Sequence, residues 1–163
     1  MKLTAIDPGR KGAIAISFDG DVFAYRLPFN KDDSLNIGRI NQLLSKSDHV
    51  FFELPSKGCD GKINANAIYL GGYYKGVIES ICELNNLPIT QYHPASWMPD
   101  FFGYGAKVKN NGIKPSIKYC RQRYPTELLM PGRCTTIHDG ITDALCLLEY
   151  GTKMMEKTHE QCG

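Results

Sequence analysis

The sequence predicts an α/β domain built on a mixed five-stranded sheet, with its first three strands in an antiparallel meander and helices on its faces. Three observations carry that expectation. Three apolar runs of strand length, LTAID, AIAISF and VFAYRL, follow one another near the N-terminus and are separated by glycine-bearing turns. Segments with helical and strand periodicity then alternate to the end of the chain. The length of 163 residues, 42% hydrophobic and 22% charged, suits one globular unit able to bury a core.

Residues 3–7 read as a buried strand that ends in an acid, Asp7, and Pro8, Gly9 and Gly12 then form a tight turn. Residues 13–18 make a second apolar strand. Asp19, Gly20 and Asp21 form the hairpin turn into a third strand over 22–27. Apolar residues at 37, 40, 43 and 44 predict a helix over 34–46, with Ser34 as its N-cap. Val50, Phe51 and Phe52 form a strand ending at Glu53, and Pro55 closes it. The polar loop SKGCDGKIN leads into a long helix over 65–85. Glycines 71, 72 and 76 lower its propensity and admit close approach of another backbone or a nucleic acid. A short strand over 88–93 and a short helix or turn over 96–102 follow. The segment GYGAKVKNNG then precedes a helix over 114–124 with Pro115 in its first turn. Residues 125–136 read as loop and 138–155 as the final helix. The order is β-β-β-α-β-α-β-α-α, with the domain over 1–157 and a flexible tail over 158–163. There is no internal repeat and no low-complexity segment.

The N-terminus, MKLTAIDPGRKG, does not have the form of a signal peptide, because Asp7 interrupts a short apolar stretch. No apolar run approaches the roughly 20 residues of a membrane span, so a cytoplasmic protein without a membrane partner is expected. The six cysteines form no CxxC pair and have no zinc-finger spacing to histidine, which predicts reduced, structural thiols. The net charge is only +2, but Lys107, Lys109, Lys114, Lys118, Arg121, Arg123 and Arg133 face a single acid, Glu127, between Tyr104 and Arg133. That stretch reads as a phosphate-backbone surface or as a solvated helix face.

Four acids stand where acids are costly. Asp7 and Glu53 each close an apolar strand. Asp139 and Asp143, four residues apart, share one face of the last helix, anchored by apolar residues at 141, 145 and 148. Charged carboxylates at buried strand ends need compensation, and several together repel. A pair of divalent cations resolves both problems. Hard oxygen ligands select Mg²⁺, with Mn²⁺ as a substitute, and two such ions about 4 Å apart support phosphodiester hydrolysis.

The segments AIDPGRKGAIAI, FFELP, YHPASWMPDFFG and HDGITDALCLLEYG, taken together and in this order, resemble the RuvC-like Holliday junction resolvases, in particular their compact phage and viral relatives. The resemblance covers nearly the whole chain. It implies an RNase H-like fold, a homodimer, a host cytoplasm if phage-encoded, and a two-metal-ion endonuclease that makes paired nicks across a four-way DNA junction in recombination and repair. Asp7 matches the first-strand acid of that family, Glu53 the middle acid and Asp143 the last. The family's remaining acid or histidine lies three residues before the last acid, and here that position is Gly140. Asp139 shares the helical face with Asp143, whereas His138 is rotated about 140° from it on an ideal helix. Asp139 is therefore the expected fourth ligand, with His138 as the alternative, placed to activate or position the attacking water.

Expected DNA contacts are Arg10 and Lys11 in the turn after Asp7, Lys57 and Lys62 in the loop after Glu53, and Lys107, Lys109, Lys114 and Lys118 in the basic stretch. Tyr73 and Tyr74 join them as residues that stack on bases or line a dimer interface, with packing in the core as the alternative, while Trp97 is expected to anchor the core. Three other functions fit parts of the pattern. The turn DPGRKG resembles the phosphate loop of two-lobed ATPases, but the chain is too short for a second lobe. A nuclease for RNA–DNA hybrids, forks or flaps would share the same acids. A catalytically inactive binder of branched DNA would be expected to have lost one.

Overall fold

The three N-terminal apolar runs form β1 (Lys2–Asp7), β2 (Ala13–Phe18) and β3 (Asp21–Arg26), an antiparallel meander in which Asp7 pairs with Ala13 and Ala13 with Arg26. This structure, a computed structural model, describes residues 1–55, 65–103 and 112–162, with the backbone alone at 159, 161 and 162. On the other side of β1, β4 (His49–Glu53) and then β5 (Ile89–Tyr92) add in parallel. The sheet order is β3-β2-β1-β4-β5.

Side-chain alternation along the strands sorts the core into two layers. Leu3, Ala5, Ala13, Ala15 and Phe51 face one layer, made with α3 (Pro94–Phe102), α4 (Pro115–Cys120), α5 (Thr126–Leu129) and α6 (Asp139–Cys162). Ile6, Ile14, Ile16, Val50 and Phe52 face the other, made with α1 (Ile37–Leu44) and α2 (Ala65–Leu84). Among the described residues no helix is long and apolar enough to cross a membrane. Cys82, Cys120, Cys134 and Cys146 are free thiols.

Four boundaries differ from expectation. The first helix is capped by Asn36, whose side chain accepts from the Arg39 amide at 2.9 Å, and not by Ser34. Ser34 is engaged with Asp32 instead, because Leu35 is drawn into the core and bridges to Phe29. The helix predicted over 114–124 stops at Cys120, and the expected loop that follows contains α5, one turn that buries Leu129. The short segment around Trp97 is a helix starting at Pro94, whose fixed φ suits a first turn. Finally, α6 continues through Cys162, past both the expected end at 155 and the start of the expected tail at 158. Its last turns hold no glycine or proline to stop it, and the Thr158 hydroxyl donates to the Met154 carbonyl at 2.9 Å.

Candidate active site

The last paired row of β1 and β4 joins Ile6 to Phe52, so Asp7 and Glu53 are the next residues on adjacent parallel strands, about 5 Å apart in the pairing direction. Alternation points both toward the α6 layer, as it does Ala5 and Phe51 two residues earlier. The edge where parallel strands end is where open α/β sheets hold ligands. Over that edge α6 brings Asp139 in its first turn and Asp143 one turn later. Asp143 has a side-chain exposure of 13% and Asp139 of 45%.

A cation lies among these acids. The Lys114 ammonium stands 3.2 Å from Asp139 Oδ2 and 3.3 Å from Asp143 Oδ2. Its position follows from the next residues. Pro115 starts α4, Ser116 and Cys120 are buried against α6, and Thr142 bonds to both, so the residue just before α4 is held at the first turn of α6.

Charge at the site is under strain. Burial first, then Glu53 and Asp143, push the Asp7 carboxyl well above the usual range, against the opposing pull of Lys114. Burial raises Glu53 to about 7, with Asp143 adding to it. Glu53 gets partial relief from the fully buried Trp97, whose indole Nε1 donates to Glu53 Oε2 at 2.7 Å. Burial works against the Lys114 charge as well, but Asp143 and Asp139 outweigh it and hold the ammonium above the ordinary lysine value.

Among the described residues no three His, Cys, Asp or Glu side chains stand, as they are placed here, where they could hold one metal ion. The donor set nevertheless fits a hard divalent cation. The acids supply oxygen donors only, Asp143 raises the proton affinity of both Asp7 and Glu53, and Asp139 and Asp143 already hold a positive charge in Lys114.

The glycine at position 140 has a steric cause. The helical residue Gly140 is buried, and a Cβ there would collide with the Lys11 carbonyl, so no side chain of any kind fits where α6 crosses the DPGRKG turn. His138, the alternative ligand, caps the helix: its Nδ1 accepts from the Ile141 amide at 3.3 Å, and its own amide donates to the Leu129 carbonyl at 2.9 Å. Burial, then Arg26, lower its pKa.

The expected DNA contacts separate. Lys11 is exposed beside the site, and Arg10 is paired with Asp33 at 2.7 Å. Lys118 is exposed on α4, whereas Lys114, assigned from sequence to a phosphate-tracking surface, sits on the acids. Tyr74 is buried against Phe29, and the Tyr73 hydroxyl accepts from the Leu35 amide, which fits the core-packing alternative for this pair and not an exposed stacking surface. Both pack in the core layer between α1, α2 and the sheet, Tyr74 buried and Tyr73 half-buried, and Gly71 lies directly against Pro55. Lys57, Lys62, Lys107 and Lys109 lie outside the described residues. Sequence reasoning found Trp97 as a core anchor but missed its bond to Glu53. It also missed Arg26, although the hairpin register puts Arg26 in the row of Asp7.

Two solved structures share this fold. RuvC of Thermus thermophilus in complex with a Holliday junction substrate superposes with a TM-score of 0.57 at 15% identity, over 93% of each chain. Thermus thermophilus RuvC superposes with a TM-score of 0.56 at 17% identity, over 94% of this chain and 96% of that one. No protein-family model and no curated protein matches the chain.

Proposed function

From the RNase H-like fold that the chain shares with those structures, we propose that it is a divalent-metal-dependent endonuclease that resolves four-way or branched DNA as a homodimer. One observation carries the proposal: Asp7, Glu53, Asp139 and Asp143, from three separate elements, gather at one sheet edge, where the Lys114 ammonium sits on the last two. A purely structural site has no use for acids that destabilise one another.

Asp7, Glu53, Asp143 and Asp139 would hold Mg²⁺ or Mn²⁺, two ions per site, with Asp139 in place of the ligand that Gly140 cannot supply. The ions would supply charge stabilisation at the scissile phosphate and help to generate the attacking hydroxide. The chain's own groups do the rest. Trp97 fixes the orientation of Glu53 through its indole N–H. Lys114 neutralises Asp139 and Asp143 and keeps them from repelling an incoming phosphate. His138 sets the start of α6 and thereby the direction in which Asp139 and Asp143 point.

The test is cleavage of four-way, forked, flapped and RNA–DNA hybrid substrates side by side, with Mg²⁺, with Mn²⁺ and with chelator. Symmetric paired nicks on the four-way junction, lost on chelation, are expected. Preferential cutting of a flap or hybrid would move the proposal to that substrate, and no cutting of any of them would end it.

A further inference from the structure

Outside the acid cluster, the strongest unexplained feature is a group of arginines at the open edge of the sheet. No strand pairs the outer side of β3 among the described residues. Arg26 ends that strand, Arg39 lies in the first turns of α1, and Arg133 lies in the loop before α6. Together they line a groove of about 640 Å³ whose walls contain no acid among the described residues. All three are exposed, and among the described residues none has a carboxylate partner. Arg26 donates to the Cys134 thiol and Arg39 to Gln42 Oε1 at 3.2 Å, both neutral acceptors. Three guanidinium groups around one acid-free groove raise the local potential and attract anions.

The groove does not end there. A second groove, of about 600 Å³, shares Arg26 and Cys134 with it and continues past Lys11 and His138 to Asp139. The two form one track from the acid cluster to α1, positive along its length until it reaches the acids. Strand register fixes the scale. Asp7 pairs with Ala13 and Ala13 with Arg26, so Asp7 and Arg26 are two strand spacings, about 10 Å, apart. At about 3.4 Å of axis per phosphate along a DNA strand, that is about three nucleotides.

We propose that Arg26, Arg39 and Arg133 bind the phosphate backbone of the DNA arm that leaves the acid cluster across the edge of β3. The identity of the occupant rests on the nuclease function proposed above; the anion-binding character of the groove does not. A small anion would not need an open track leading out of a cluster of carboxylates, whereas a chain of phosphates held at both places does. Guanidinium forks match phosphate oxygens two at a time, which suits arginine at all three positions.

The test is fluorescence anisotropy of a labelled DNA duplex and a labelled four-way junction, titrated in chelator from about 50 to about 300 mM KCl. For the triple variant R26Q/R39Q/R133Q, the expected result is a salt slope shallower by about 2–3 and an affinity at about 100 mM salt lower by 10-fold or more. R26K/R39K/R133K, which keeps the charge, should retain most of the wild-type slope. A glutamine variant that is folded by circular dichroism and keeps the wild-type slope on both DNAs overturns the proposal. Cleavage by the wild-type protein is scored separately with Mg²⁺. A changed slope without cleavage leaves the groove standing and removes the nuclease, and cleavage with an unchanged slope does the reverse.

Discussion

One residue separates two opposite environments on β1 and β4. Ile6 and Phe52 are fully buried, as are Ala5 and Phe51 before them, and among the described residues no buried side-chain polar atom lacks a partner. The next pair, Asp7 and Glu53, carries carboxyl groups that burial and neighbouring carboxylates, Asp143 in both cases, push upward. The strand bodies bury apolar area and hold the sheet together, and the strand tips sacrifice stability for a concentration of negative charge. Such a division lets the tips be changed without loss of the fold, because the rows beneath them do not depend on the acids. It also gives activity and stability opposite signs at the same residues.

The sharpest way to break that contrast is to neutralise a tip. Asp7→Asn and Asp143→Asn should each lower single-turnover cleavage of a four-way junction by about 10³-fold or more, the equivalent of several kcal/mol of lost transition-state stabilisation. In chelator, the melting temperature of Asp7→Asn should equal or exceed that of the wild type, since a buried, repelled charge has gone. Added Mg²⁺ should raise the wild-type melting temperature and leave that of the variant nearly unmoved. Full cleavage by either variant would remove these acids from the mechanism.

How much of this was legible beforehand follows from the same contrast. An acid directly after LTAI, or after VFF, is visible in one dimension, because local pattern already makes its charge expensive. The five-stranded mixed sheet was equally legible, since periodicity and turn residues are local. Lys114 was visible as a basic residue, but its placement on Asp139 and Asp143 depends on how α4 docks against α6 through Ser116, Cys120 and Thr142, which no local pattern encodes. Tyr73 and Tyr74 were ambiguous for a related reason. An aromatic pair among glycines fits a stacking platform, an interface or a core equally well in one dimension, and only the contacts of Tyr74 with Phe29 and of Tyr73 with Leu35 decide for the core. Gly140 looked like a missing ligand and is instead a packing requirement.

That requirement separates the two regions by backbone contact. Gly140→Ala forces a methyl group into the Lys11 carbonyl and should cost about 1–3 kcal/mol, with a matching fall in melting temperature and in cleavage. Gly76→Ala is the control on α2. A Cβ there meets nothing within 4 Å, so the substitution should stabilise the protein by about 0.5–1 kcal/mol. If both substitutions change stability in the same direction, the crossing of α6 over the turn is not tight.

The effect of pH sharpens the contrast further, with Glu53→Gln as reference. The folded-state pKa of Glu53 lies above its ordinary value of 4.5, at about 7. A carboxyl so shifted binds its proton more tightly when folded, so its destabilising effect is absent below the ordinary value and complete above about 7. In chelator, the melting temperature of the wild type relative to Glu53→Gln should therefore fall as pH rises between these limits, by the equivalent of roughly 1–3 kcal/mol. A constant difference across that range would mean that Glu53 is not under strain.

The smallest expected effect concerns His138, and it bears on which residue completes the acid set. The imidazole Nδ1 already accepts the Ile141 amide, a cap on the first turn of α6. A group committed to that bond cannot offer the same nitrogen to an ion. His138→Ala should therefore lower stability by about 1 kcal/mol, the usual cost of a lost cap, and reduce cleavage by less than about tenfold. His138→Asn, whose side-chain oxygen can accept the same amide, should restore most of both. Asp139→Asn, by contrast, should leave stability nearly unchanged, because its carboxylate is half exposed, and should lower cleavage more than His138→Ala does. The reverse ranking, with His138→Ala the more damaging to cleavage at equal stability, would return the histidine to the ligand position. It would also mean that the start of α6 is built around the reacting phosphate and not around the turn it crosses.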